Sequence, residues 1–313
     1  MARTDLSYEE LIDYRPAVAE PADFDIFWNH TIAEARAFDL DMQLRSVDTH
    51  YRTVEIYDAS FCGYAGDRIN AWLLRPRHEN GLRAAVVEFI GYNGGRDVPG
   101  AFLSWASAGY THLLVDTRGQ GSAWGGGGDT PDPHGAGPHA PGFMTKGIED
   151  PKMYYYRRVF IDALRALEAV RNLSDVDASS IAVQGISQGG GITLAAAGLV
   201  NDLVAVMPDV PFLCHFRRAV DICDRGAAES AFTTLSYFDG VNFAKRASAP
   251  ALFSVGLMDQ VCPPSTVYAA YHAYGGAKDI VVYPFNDHEG GLSHQRLAQI
   301  NWLNDLIGFE NAG

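Results

Sequence analysis

The sequence predicts an α/β fold: a mainly parallel central sheet with helices on both faces and an N-terminal helical extension. Three observations predict it. From residue 84 onward, short apolar runs alternate with helix-length segments, the pattern of strands buried on both faces by crossover helices. Two earlier runs, Thr53–Tyr57 and Asn70–Leu74, have only the Gly63–Asp67 turn between them, which predicts an antiparallel edge. One later run, Ser180–Gln184, leads through Gly185-Ile186-Ser187-Gln188-Gly189 into the small, helix-compatible residues Gly190–Ala197. Strand, sharp Gly-x-Ser-x-Gly turn and helix are the setting of a nucleophile elbow on an α/β-hydrolase sheet.

The elements follow in order. Ser7-Tyr8-Glu9-Glu10 fits a capping box opening a short helix. After Pro21, Phe24, Phe27, Trp28, Ile32, Ala35 and Phe38 recur at three- and four-residue steps, an amphipathic helix whose aromatic face packs on the main body. Ala84–Ile90 and Thr111–Val115 are strands separated by a helix-like Ala101–Ala108 stretch, and Tyr154–Val170 is a long helix. Beyond the elbow come strands at Leu203–Met207, Ala251–Val255 and Ile280–Tyr283, with helices at Thr266–Tyr274 and from about Ser293. Residues 119–142, rich in Gly, Pro and His, read as an ordered surface loop, with His134 and His139 as loop residues. No internal repeat or linker is visible. The expectation is therefore a single catalytic domain over residues 1–313, with residues 1–50 as a helical extension packed on it.

A serine hydroxyl needs a base to accept its proton and a third group to orient that base. On such a sheet these follow in the order nucleophile, acid, histidine. Ser187 is the nucleophile. Asp259 sits in the loop after Ala251–Val255, and His288 in the loop after Ile280–Tyr283, at the sheet edge where open parallel sheets place their sites. Asp287 and Asp209 compete for the acid role. His294 competes with His288, but it falls inside the last helix. Developing negative charge needs backbone donors. The N–H of Gln188, after the nucleophile, is one candidate; that of Tyr92, in the glycine-rich loop Gly91–Gly95, is the other, its ring forming a wall of the acyl pocket.

Composition narrows the partners. A net charge of −14 leaves no basic stripe for nucleic acid. No run of about eighteen apolar residues predicts a membrane span. The first twenty residues lack the apolar core of a signal peptide, so the expected location is cytoplasmic. Cys62, Cys214, Cys223 and Cys262 lack zinc-site spacing and read as buried free thiols. His288-Glu289 lacks the second histidine of a zincin motif, so neither metal nor cofactor is expected.

Together, Asp116-Thr117-Arg118-Gly119-Gln120-Gly121, the elbow with Gly190, and His288-Glu289 resemble carbohydrate esterase family 7, the acetyl xylan esterases and cephalosporin-C deacetylases. The likeness extends to Pro141–Thr145, Tyr154–Arg158, Val210–Phe216 and Leu235–Gly240. It implies a cofactor-free serine esterase that deacetylates small acetylated sugars and cephalosporins, with Ser187, Asp259 and His288 as triad and Tyr92 and Gln188 as oxyanion donors. Arg118 and Gln120 would support the site rather than react. The resemblance further implies a homo-oligomer, a hexamer with inward-facing sites. One departure stands out. The segment Ile222–Thr234 is shorter than in familiar members, which carry there a helix with a proline near the acyl pocket.

Overall fold

The computed structural model describes residues 5–77, 81–135, 142–223 and 228–309. His139 and Pro141, and residues 224–227 of the short segment, lie outside them. Ser7 caps α1 (Tyr8–Asp13) as predicted: its Oγ accepts the Glu10 N–H at 3.2 Å, and its own N–H donates to Glu10 Oε2 at 2.8 Å. Helix α2 (Phe24–Arg36) buries Phe24, Trp28, Ile32 and Ala35. Trp28 packs on Phe160, Phe238 and Phe243, and its indole N–H donates to the Tyr237 carbonyl at 3.0 Å. Phe38, expected on the same face, is half-exposed because the helix stops at Arg36 and its period no longer applies.

The stretch expected to be helical through residue 50 ends instead in a strand, β1 (Gln43–Val47). It pairs antiparallel with β2 (Val54–Cys62) at the sheet edge, with four of its five residues exposed. Strand β3 (Arg68–Pro76) completes the antiparallel edge. There follow β4 (Arg83–Phe89), α3 (Ser104–Ser107), β5 (Thr111–Val115), α4 (Tyr155–Arg171), β6 (Val176–Ile186), α5 (Gln188–Leu199) and β7 (Ala205–Asp209). Then come α6 (Phe216–Ile222), α7 (Glu229–Leu235), α8 (Gly240–Ala244), β8 (Ala251–Gly256), α9 (Pro264–Ala273), β9 (Lys278–Tyr283) and α10 (Leu292–Ile307). The strands form one sheet in the order β1-β2-β3-β5-β4-β6-β7-β8-β9, parallel from β5 through β9.

Helix α4 shows how deep the core is. It buries Arg157, Arg158, Asp162 and Arg165 along with its apolar face. Buried charge is tolerable only when paired, and each is: Arg158 with Asp132, Asp162 with Arg118, Arg157 with Glu34, and Arg165 with Glu168. These partners come from the segment after β5 (Arg118 and Asp132), α2 and α4 itself, so the charged face of α4 is covered largely by neighbouring structure.

Strand register sets the site. Phe89 lies opposite Gly185, Ile186 opposite Asp209, Asp209 opposite Ser254, and Gly256 opposite Tyr283. The C-terminal ends of β4, β6, β7, β8 and β9 are therefore level, and the loops that leave them share one edge.

Candidate active site

Ser187 stands between β6 and α5 at φ 57°, ψ −118°, outside the regions L-residues favour. Such strain costs about 1–3 kcal/mol and persists only when the surroundings enforce it. Here they do. The Ser187 N–H donates to the Asp209 carbonyl at 2.9 Å, and its carbonyl accepts from Phe212 at 2.9 Å. A Cβ on Gly185 would lie 2.3 Å from the Gly189 carbonyl carbon, and one on Gly189 would lie 2.0 Å from the Phe89 carbonyl oxygen. Only glycine fits at either position.

The segment after β7 is itself strained. Val210, Leu213 and His215 all have positive φ, and for a β-branched residue such as Val210 that is an outlier. Its Pro211 and Phe212 backbone lies against Gly190 and Gly191, where a side chain would collide. This explains physically why Val210–Phe216 belongs with the elbow: it clamps the first turn of α5.

His288 Nε2 lies 2.9 Å from Ser187 Oγ, and His288 Nδ1 lies 2.9 Å from Asp259 Oδ2. Asp259 is almost fully buried, and its other oxygen accepts the Val261 and Cys262 N–H groups, each at 2.8 Å. The Ser187–His288–Asp259 contacts thus have the connectivity that a nucleophile, a base and an orienting acid require. The competitors are occupied elsewhere. Asp287 accepts the Gln260 and His288 N–H groups. Asp209 accepts from the amides of Gln184, Gln295 and Gln299 and from Ser254 Oγ; burial pushes it up to about 6 against those donors. His294 is exposed near the start of α10. His134 pairs with Asp67 at 2.7 Å.

The loops bearing Tyr92 and Gln188 are joined by side chains. Gln188 opens α5, so its N–H has no intrahelical partner and points out of the helix end. A Cβ on Gly91 would lie 3.6 Å from the Ile186 carbonyl, which places the Tyr92 backbone beside the elbow. Gln120 bridges the two. It accepts the Asn93 N–H at 2.6 Å and donates to Gln188 Oε1 at 2.8 Å, and Gln188 Nε2 donates back at 3.1 Å. Tyr156 OH also donates to Gln188 Oε1, while Tyr155 OH donates to the Arg118 carbonyl. The Tyr92 ring sits between Phe143 and Phe212, its hydroxyl accepting from the Gly142 and Phe143 N–H groups.

Arg118 is fully buried. It grips Asp162 through Nε and Nη2 and reaches Asp67 and Asp132 through Nη1. Asp116 accepts the N–H groups of Arg96, Asp129 and Thr130, which folds the glycine-rich loop back over the site.

The structure brings all seven predicted site residues into this region. What sequence reasoning missed is the clamp at Val210–Phe212, the amide bridge through Asn93, and Cys262. The thiols expected to be buried divide: Cys214 and Cys262 are buried, Cys62 is partly covered and Cys223 is exposed. Among the described residues, Asp259, Cys262 and His288 form a group whose donor atoms lie close enough to hold a metal ion.

The family model for acetyl xylan esterase (AXE1) matches residues 1–306. The chain belongs to the acetyl xylan esterase family. It is 38% identical to the acetyl xylan esterase from Paenibacillus sp. R4, with a TM-score of 0.89 over 96% of this chain and 99% of that one. It is 33% identical to acetyl xylan esterase 1 from Thermoanaerobacterium sp. JW/SL YS485, with a TM-score of 0.88 over the same shares. Acetyl esterase Axe7A of Xylanibacter ruminicola is 27% identical over 94% of this chain and 69% of its own length. Pyrococcus horikoshii acylaminoacyl peptidase, at 17% identity and a TM-score of 0.59, shares the fold. This acetyl xylan esterase family member is an α/β-hydrolase and a carboxylic ester hydrolase. No helix among its described residues is long and apolar enough to cross a membrane.

Proposed function

We propose that this chain is a serine esterase that removes acetyl groups from O-acetylated xylo-oligosaccharides and related small acetyl esters, cephalosporin C included. The observation that carries the reading is the chain of 2.9 Å contacts from Ser187 through His288 to Asp259 on a strained elbow. Ser187 Oγ attacks the acetyl carbonyl while His288 takes its proton. The Tyr92 and Gln188 N–H groups hold the oxyanion. Collapse releases the sugar hydroxyl, protonated by His288, and leaves an acetyl-serine. Water then attacks under the same base and frees acetate. Asp259 keeps the imidazole in the tautomer that can accept from Ser187.

The Tyr92–Phe143–Phe212 aromatic group supports a small acyl site. A cavity of about 530 Å³ is lined by Ile186 and Glu289, which precede Ser187 and follow His288 in the chain, and is of a size for the leaving alcohol. The family likeness supports a homo-hexamer, and the net charge of −14 supports an enzyme with no nucleic-acid partner. The alternative is a broader carboxylesterase. It draws on the short segment Ile222–Thr234 and on Val261, which is exposed two residues after Asp259.

Hydrolysis of 4-nitrophenyl acetate, butyrate and octanoate tests both. A steep preference for acetate, abolished in Ser187→Ala, is expected. Equal turnover of the octanoate would favour the broader enzyme, and activity surviving in Ser187→Ala would remove the mechanism.

A further inference from the structure

Cys262 has no part in the chemistry above, yet its side chain lies inside it. The residue is 1% exposed, and its thiol faces the buried Asp259–His288 pair. Its sulfur, an Asp259 carboxylate oxygen and a His288 ring nitrogen lie within 4.8 Å of one another. The loop explains the placement. Asp259 Oδ1 accepts the N–H groups of both Val261 and Cys262, folding the turn back so that the thiol faces the acid it follows.

We propose that Cys262, Asp259 and His288 form a latent site for a soft or borderline divalent cation of the zinc–cadmium class, and that filling it switches the esterase off. The switch rests on the triad reading; the site does not. Sulfur, imidazole and carboxylate are the donors zinc takes, and hard cations such as magnesium and calcium prefer all-oxygen sets. Tetrahedral zinc distances place neighbouring donors roughly 3.3–3.8 Å apart, so closing the site needs movements of about 1 Å. Ser187 Oγ or water supplies a fourth position. On binding, the thiol S–H bond breaks, its proton passes to solvent, and a sulfur–metal bond forms with no change of oxidation state. If the metal takes His288 Nε2, it occupies the lone pair that would accept the serine proton. If it takes Nδ1, the ring proton held there against Asp259 moves to Nε2, which then donates instead of accepting. Either way the base is lost.

Burial holds the free thiol protonated, well above the usual range, so it stays inert as a nucleophile until a metal displaces its proton. The His288 side chain is 30% exposed, which gives an ion its way in. Cys223, exposed elsewhere, is an independent thiol and has to be removed from the test.

Cadmium chloride is therefore titrated into full-length Cys223→Ser protein, following the ultraviolet thiolate-to-cadmium band and 4-nitrophenyl acetate hydrolysis in parallel. The expected result is a band and a loss of activity with the same concentration dependence, both reversed by a chelator. Adding Cys262→Ser, or Cys262→Ala as a second variant, should remove the band. Each protein is compared with its own metal-free rate, and half-inhibition should then need at least the roughly 10- to 100-fold more cadmium that losing even an outer-shell partner costs. A band or an inhibition indifferent to Cys262 overturns the proposal. A Cys262-dependent band in an enzyme that keeps its full rate overturns the switch. Activity surviving in Ser187→Ala would instead sink the triad reading, whatever the band does.

Discussion

Replacing Gln120 by alanine removes the bridge between the loops that carry the proposed oxyanion donors, without touching a reacting group. The Gln120 amide holds the Asn93 N–H at 2.6 Å, Gln188 Oε1 at 2.8 Å and Tyr155 OH at 3.0 Å, and alanine can hold none of them. Gln188 keeps the Ile90 carbonyl and Tyr156 OH, and Tyr155 keeps the Arg118 carbonyl. One buried group, the Asn93 N–H, is left without its partner, which costs about 1–3 kcal/mol. For a chain of this size that is a fall in Tm of roughly 1.5 °C per kcal/mol. The rate should suffer more. Asn93 follows Tyr92 directly, so freeing its N–H lets the neighbouring donor drift. Losing an oxyanion donor outright lowers kcat about 100- to 1000-fold, and misplacing one should lower it roughly 10- to 100-fold. KM should hold within about threefold, since the donors act on charge that develops only in the transition state.

Gln120→Glu sharpens the test. It keeps an acceptor for Asn93 but sets a carboxylate oxygen against Gln188 Oε1, so it should be no better than alanine. The assay is steady-state hydrolysis of 4-nitrophenyl acetate alongside a thermal melt. A folded Gln120→Ala protein with kcat within about twofold of wild type would refute the bridge as what holds the donors in place.

Asp259→Asn should lower kcat about 10⁴-fold without unfolding the protein. Two N–H groups fix Oδ1 as an acceptor, so the new amide nitrogen faces His288 Nδ1 and forces the wrong tautomer; a milder loss would mean the amide has turned. Gly189→Ala should yield little folded protein on expression, since its Cβ would press within 2.0 Å of the Phe89 carbonyl. Arg118→Lys keeps the charge but loses the two-nitrogen grip on buried Asp162, and a melt should show a loss of about 3–5 kcal/mol. The Asp209 carboxyl, raised by burial from 3.8 to about 6, binds its proton more tightly folded than unfolded. Its contribution is fully present below pH 3.8 and is lost as pH rises through about 6, so wild type should gain about 3 kcal/mol relative to Asp209→Asn across that window as pH falls.

The proposed triad was legible because each member carries a local signature. Ser187 lies in a turn only glycines permit, and Asp259 and His288 each follow an apolar strand whose end is visible as a break in hydrophobicity. Strand β1 was invisible for the opposite reason. An edge strand exposed over Gln43–Ser46 has no buried face to impose alternation, and β1 is set by pairing with β2 rather than by its own pattern. Phe38 misled because a three-to-four-residue rhythm continues in sequence after the helix that gave it meaning has ended.

The clamp at Val210–Phe212 failed to show for a deeper reason. Val210 takes a positive φ, and Pro211 and Phe212 lie where Gly190 and Gly191, residues about twenty positions earlier, leave no room for a side chain. No local propensity encodes that strain; it exists only once α5 is docked. Cys262 is the same kind of case. Nothing in its spacing suggests a ligand, and its place beside Asp259 and His288 follows from a turn that Asp259 folds with its spare carboxylate oxygen. That oxygen aligns the acid for His288 and brings in the sulfur by one set of hydrogen bonds. A site built to orient the imidazole thereby gains a third metal-binding donor, and any such enzyme that keeps a cysteine at this position should share its sensitivity to soft cations.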